Sequence, residues 1–357
     1  MFGFANFLLL ALFAAAVFDL IFALARGSGL RGALHGLWNT PHLLFGQQLA
    51  EWRLQLGRIL FAAGLAAYEI SVVFCNSMAR QNWAWVQGVM SPVLEWLAFL
   101  CFGAKILFGT RYTWRELLAG GALYFIARWV YFNSQNIWWI GIVMAVLAAK
   151  DVPLRRPLQV YFASGCAAMA VVLALHFAGI VAPDLTSERM GALRGTYGYG
   201  HPNTFGGLVF GLVLAYALLR AQKVRWVDCL LVFAVGVFLL VGPASRSAAL
   251  CTLALAVGLV FCRLRAGHSV PRWWPGTCAG MVGLTAAVSY LLPLLVIKVG
   301  PWNNDIGPAW LAKLDSLLTC RISLTWMAYR LLDVKIAGQV FNWPTVDNSF
   351  AFALFQF

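Results

Sequence analysis

The residues of this chain best suited to chemistry are guanidinium groups set in distinctive local sequence. Arg194 opens the run Arg194-Gly195-Thr196-Tyr197-Gly198-Tyr199-Gly200-His201-Pro202-Asn203-Thr204-Phe205-Gly206, Arg246 follows Gly242-Pro243-Ala244-Ser245, and Arg321 follows Leu318-Thr319-Cys320. A planar guanidinium fork binds phosphate oxygens two at a time, so several such groups at one mouth suit a diphosphate. Ser245 is placed to cap a helix that Arg246 opens, which would leave backbone N–H groups facing outward beside the guanidinium as an anion site. His201 has two readings that the residues leave open. Pro202 at a first helical turn, with Asn203 or Thr204 as the cap, makes a plain capping turn; alternatively, the flanking glycines allow close backbone approach and the imidazole faces a ligand. His35, His42, His176 and His268 lack such a setting and read as structural or solvated.

These side chains need a scaffold, and the composition dictates its solvent. With 357 residues, 62% of them hydrophobic and only 11% charged, the chain is too apolar for an ordinary soluble globule. In lipid the backbone finds no outside partner, so the chain must form helices or a closed barrel, and its long unbroken apolar runs select helices. The predicted fold class is all-α, a polytopic transmembrane helical bundle of about 10 to 11 spans with the N-terminus outside. The first span covers roughly Phe4 to Ala25, with no basic region ahead of it and no cleavage signal behind it. Further spans start near Arg58, Ala84, Arg115, Asn136, Leu158, Thr204, Trp226, Arg246 and Cys278, the fourth and fifth being short. Another begins at Ser349 and is cut off by the last residue, so the chain looks truncated. The organisation is therefore 1–182 N-terminal spans, 183–203 an outer loop, 204–297 further spans, 298–348 a large extracytoplasmic loop, and 349–357 the start of a truncated span.

Orientation follows from Lys and Arg in the short loops. Arg26, Arg31, Arg53 and Arg58 fall in one loop, and Arg111 with Arg115, Lys150 with Arg155, Arg220 with Arg225, and Arg263 with Arg265 fall in successive alternate loops. Those loops read as cytoplasmic. The formal charge of +13 is spread over them rather than gathered in one stripe, which argues against nucleic acid. Arg189, Arg194, Arg246, Arg321 and Arg330 lie on the outer side, against the bias; long loops tolerate Arg189 and Arg330, whereas the other three ask for a function. Within the membrane, Glu69, Glu95 and Arg128 should face the bundle interior or a wet cavity, as a structural pair such as Glu95 with Arg128 or as a proton pathway. The eight cysteines sit mostly in apolar runs without metal-ligand spacing and read as small buried residues.

Taken together, three segments resemble the Wzy-type polysaccharide polymerases, membrane enzymes of the O-antigen polymerase and ligase superfamily that join lipid-linked oligosaccharide repeat units. Arg194 to Gly206 is similar to that family's Arg and Gly-Phe-x-His-Pro-Asn-Thr-hydrophobic-Gly signature, and Ser245-Arg246-Ser247 to its Ser-Arg-Thr/Ser. Leu318 to Arg321 with Asp347-Asn348-Ser349-Phe350 is similar to its Leu-x-x-Arg and Asp-Asn-x-Tyr/Phe pair at the end of the large outer loop. The likeness covers roughly residues 190 to 357; Cys320 stands where a small residue is usual.

The resemblance implies a fold like that of the C-type glycosyltransferases and transfer of a growing glycan from undecaprenyl diphosphate to a hydroxyl of another lipid-linked repeat unit. It places that chemistry at the outer face of a bacterial plasma membrane, for exopolysaccharide, capsule or O-antigen. His201, Arg246, Arg321 and Asp347 would be catalytic, and Arg194, Asn203 and Asn348 would bind substrate. The arginines would do the work of a divalent ion, so no metal or other cofactor is expected. His201 is the preferred base over Asp347, because histidine ordinarily titrates near working pH. Asn203 and Asn348 could equally serve as caps or turn residues. Expected partners are the lipid-linked substrates, the bilayer and a chain-length regulator, with no nucleic acid. The rival readings are an O-antigen ligase, which shares donor and architecture, and a flippase or transporter, which would carry charges along a midplane cavity.

Overall fold

A computed structural model describes residues 2–27, 29–43, 51–134, 138–181, 187–189, 192–265 and 309–317, together with 276–277, 280, 283–284, 287–288, 291, 322–323 and 326. Over these residues the chain is an all-α helical bundle. Its helices are α1 (Phe2–Ala25), α2 (Leu30–Asn39), α3 (Glu51–Cys75), α4 (Ala79–Asn82), α5 (Ser91–Phe108), α6 (Trp114–Ser134) and α7 (Trp138–Ala148), then α8 (Arg155–Phe177), α9 (Pro202–Arg220), α10 (Trp226–Val241), α11 (Arg246–Leu264) and α12 (Ala309–Leu317). Two short antiparallel ribbons decorate it: β1 (His42–Leu43) pairs with β2 (Arg111–Tyr112), and β3 (Ser187–Arg189) pairs with β4 (Ala192–Arg194). A π-helical turn, Val86–Met90, runs straight into α5. Pro92 explains it: proline has no N–H to give to the carbonyl of Gly88, and the helix widens by a residue to bypass the gap.

Five stretches are long and apolar enough to cross a membrane: Glu51–Cys75, Val86–Phe108, Arg155–Phe177, Pro202–Lys223 and Arg246–Leu264. Their outward faces carry large apolar side chains, such as Ile59 at 64% and Val257 at 70% exposure, as a lipid solvent requires. The chain has the helices of a multi-pass membrane protein. The expected number of full-length spans is not reached among the described residues. With 11 residues, α7 extends only about 16 Å, roughly half a hydrocarbon core. It stops where Asp151 takes a left-handed φ of 60° ahead of Pro153. The span expected at Cys278 is described only in isolated helical residues, and the one at Ser349 lies outside the described residues.

Two compact units divide the chain: Met1–Leu118 with Met144–His268, and Ala119–Val143 with Ser269–Phe357. In the first, neighbouring helices pack in the row α5, α3, α8, α9, α11, α10. Small residues set this row. A Cβ on Gly64 of α3 would lie 2.9 Å from the Phe102 ring of α5, and one on Gly236 of α10 would lie 2.8 Å from Leu253 of α11. Lipid tails supply no hydrophobic drive between helices, so such close approach provides the dispersion contact that holds them. The charged residues expected inside the membrane behave differently from one another. Glu69 is buried on α3, Glu95 of α5 accepts a hydrogen bond from Ser71 of α3, and Arg128, in the second unit, lies with its guanidinium 5.3 Å from the Phe132 ring of its own helix.

The first unit has two unlike ends. One collects the loop arginines and lysines, and there cations meet carboxylates: Lys150 with Glu116, and Arg220 with Asp228 at 3.3 Å. Buried Lys105 ties the turn after α5 to the end of α7, donating to the Thr110 hydroxyl at 3.0 Å and the Lys150 carbonyl at 2.7 Å. The other end gathers the tops of α3, α8 and α10 and the starts of α9 and α11, and it holds Arg194, His201, Asn203 and Arg246.

Candidate functional site

The segment between β4 and α9 is fixed to three helices before it reaches His201. Met78, just after α3, donates its N–H to the Gly198 carbonyl at 2.8 Å, and Ser77 forms a β-bridge with Tyr199. Gly198 sits at φ 82°, with the Cβ of His176 from α8 only 3.0 Å from where its own would be, so no other residue type fits this corner. Tyr199 then plunges into the core of Val73, Val172 and Phe205 and is 0% exposed. Its hydroxyl has no hydrogen-bond partner among the described residues. Burial pushes this phenol well above the ordinary tyrosine range, and the negative charge of Glu69 adds to the shift, so it stays protonated at any working pH.

Arg194 is the keystone of this end. It is only 6% exposed, and its Nε donates to the Pro243 carbonyl at 3.2 Å while its Nη2 donates to the Ala244 carbonyl at 3.2 Å and to Asn203 Oδ1 at 3.1 Å. The Ser245 hydroxyl donates to the same Asn203 oxygen at 3.3 Å. One guanidinium thus joins the His-Pro-Asn segment to the connection between α10 and α11. Gly206 completes the join, because a Cβ there would lie 2.7 Å from the Ser245 Cβ. Tyr197 and Ala244 both adopt left-handed backbone, at φ 51° and 49°. Strain at non-glycine residues persists only where the surroundings over-determine it, and here the Tyr197 ring packs on Phe205 and Phe238 while the Ala244 carbonyl is held by Arg194.

Two sequence expectations are corrected in detail. Ser245 occupies the N-cap position of α11 but makes no capping hydrogen bond, because its hydroxyl is turned toward Asn203. The cap of α9 is neither Asn203 nor Thr204. It is His201 itself, whose Nδ1 accepts the Asn203 N–H at 3.1 Å, with Pro202 at the first helical position. His201 is also exposed, so the capping and ligand-facing readings are compatible. The cap fixes the tautomer: a neutral ring whose Nδ1 accepts carries its proton on Nε2.

Arg246 is exposed in the first turn of α11 and makes no hydrogen bond or ion pair among the described residues. The starts of α9 and α11, held together by Asn203, Ser245 and Gly206, bring two positive helix ends to one mouth beside it. Arg321, Asp347 and Asn348 lie outside the described residues. In the second unit, the residues just past Arg321 are secured by a carboxylate that the sequence does not single out. Asp315 of α12 is 0% exposed and accepts the N–H groups of Ile322 at 2.8 Å and Ser323 at 3.1 Å and the Ser323 hydroxyl at 2.8 Å. An Asp six residues before an Arg is no recognisable pattern, which is why sequence alone passed over it. Tyr199 had a stronger signal, a lone aromatic between two glycines.

No known protein family, curated protein or solved structure matches this chain.

Proposed function

We infer that the chain is a polysaccharide polymerase of the Wzy type, a membrane glycosyltransferase that transfers a growing glycan from undecaprenyl diphosphate to a lipid-linked repeat unit. The observation that carries this reading is the Arg194 bridge. It unites, at one end of the bundle, two segments of the resemblance that lie about 50 residues apart in the chain. The end with the paired loop cations is then the cytoplasmic one, by the positive-inside rule, and the Arg194 end faces outward at the bacterial plasma membrane.

The chemistry needs charge stabilisation more than covalent catalysis. The acceptor hydroxyl oxygen attacks the anomeric carbon, the bond from that carbon to the phosphate oxygen breaks, and the lipid diphosphate departs with the electron pair. Arg246 and Arg321, with the N-termini of α9 and α11, stabilise the departing charge, each good donor contributing about 2.7 to 4 kcal/mol. Arg194 acts one step back, holding Asn203 and the head of α11 in place. His201 donates through Nε2 to a sugar or phosphate oxygen. The hydroxyl proton therefore goes to Asp347 rather than to His201, and a weak carboxylate base suffices where the leaving group does most of the bond breaking. Asn203 and Asn348 orient substrate hydroxyls.

The test is reconstitution of purified protein with lipid-linked repeat units. A ladder of lengthening products, undiminished by a chelator, is expected. Unreacted single repeats would overturn the assignment, and transfer only onto a lipid A core acceptor would make the protein a ligase.

A further inference from the structure

The stretch between the first two long helices reads as a loop in sequence, yet it folds as the 10-residue α2. One flank of α2, Ala33 with Gly36 and Leu37, is buried or half-buried against the protein. The adjoining flank is apolar and open: Leu30, Leu34 and Trp38, spaced four apart on one face, are 59%, 39% and 42% exposed. Arg31, His35 and Asn39 form the next stripe, also exposed. A helix of this length rises about 15 Å and cannot span a bilayer.

Its position in the bundle says what covers the open flank. It starts just after α1 ends, and past its own end β1 pairs with β2 at the turn between α5 and α6, so it lies at the level of the basic loops. At that level arginines sit over aromatic rings in three places: Arg26 over Phe22 at 4.3 Å, Arg53 over Trp52 at 5.3 Å, and Arg115 over Trp38 at 5.9 Å. Aromatic rings with neighbouring cations mark the boundary between acyl chains and headgroups. α2 packs against α1, whose Phe18 and Ile21 are exposed apolar side chains, and the exposed Arg31 stands on the neighbouring stripe of α2 itself. That sequence of surfaces matches the depth profile of a lipid leaflet and no aqueous partner.

We propose that α2 is an interfacial helix whose Leu30, Leu34 and Trp38 stripe lies in the acyl-headgroup boundary, with Arg26 and Arg31 recruiting anionic lipid. The proposal is independent of the polymerase reading. It is tested on the full-length chain in nanodiscs made of equal parts phosphatidylglycerol and phosphatidylcholine, with photo-reactive benzoylphenylalanine at position 34, 38, 35 or 39. Retained helical circular dichroism checks that each variant is folded. Phospholipid adducts detected by intact mass are expected at 34 and 38 and not at 35 or 39. Adducts of equal yield at all four positions, or cross-links of 34 and 38 to protein, would overturn it. The adducts should favour phosphatidylglycerol, and R31Q should lower that preference about fivefold, the factor corresponding to ~1 kcal/mol per surface cation. Adducts that mirror the bulk lipid composition would remove the anionic part of the proposal.

Discussion

The two ends of the first unit use their cations for different joins. At the basic end Lys150 meets Glu116 and Arg220 meets Asp228, so charge cancels charge. At the opposite end Arg194 donates to the carbonyls of Pro243 and Ala244 and to the amide oxygen of Asn203, and so joins two segments that lie far apart in the chain. The first arrangement fastens loops. The second locks the starts of α9 and α11 together, and under the proposed function that is where a leaving diphosphate would be held.

Breaking that contrast should produce graded effects. The largest falls on chemistry alone: Arg246→Ala removes an exposed side chain, so expression and thermal unfolding should stay as in the parent while polymer formation drops by about a hundredfold to a thousandfold. A matching fall in protein level would mean Arg246 is structural. Next comes Arg194→Ala, which takes the guanidinium donor from the Pro243 and Ala244 carbonyls and leaves Asn203 with one donor fewer. Charged hydrogen bonds contribute about 1.5 to 3 kcal/mol each, so the apparent Tm in detergent should fall by several degrees along with activity. An unchanged Tm would show that the bridge does not hold the mouth. Gly206→Ala should cost about 1 to 3 kcal/mol by overpacking against Ser245, and Ser245→Gly in the same chain should recover most of it. Additive losses in that double-mutant cycle would contradict the close approach.

Smaller effects separate the two roles of His201. Asparagine is as good an N-cap as any residue, so His201→Asn should hold stability while His201→Ala loses about 1 kcal/mol. Both should slow polymerisation, because neither presents the Nε2 donor; full activity in the Asn variant would reduce His201 to a cap. At the basic end, Glu116→Gln keeps the helix start and removes only a partly exposed ion pair. Its effect should be within about 0 to 1 kcal/mol, with product length unaltered.

Hydropathy alone located the long helices, because a bilayer imposes one length and one composition on anything that crosses it. It failed where structure is short or local. The 10-residue α2, the ribbon of His42–Leu43 with Arg111–Tyr112 and the turn at Val86–Met90 are too brief for a 20-residue window to register. At the site, distinctive local sequence near a membrane boundary singles out Arg194 and Arg246, flanking glycines single out His201, and the resemblance adds Asn203; the structure places these four at one end of the bundle. Local sequence could not tell which arginine is a brace and which is open, since that depends on the carbonyls of Pro243 and Ala244, far along the chain. The Ser245 hydroxyl is illegible for the same reason: Asn203, a side chain on another helix, competes with the α11 N–H groups for it.

The reach of the Arg194 bridge also constrains how the protein is made. Its carbonyl acceptors follow it by 49 and 50 residues, beyond two complete helices. A chain threaded into the membrane from its N-terminus delivers this guanidinium early and its anchors late. The Arg194 end therefore closes only once the hairpin of α10 and α11 has been inserted, and a nascent chain halted at Val241 would present a full set of preceding helices with the keystone still unseated.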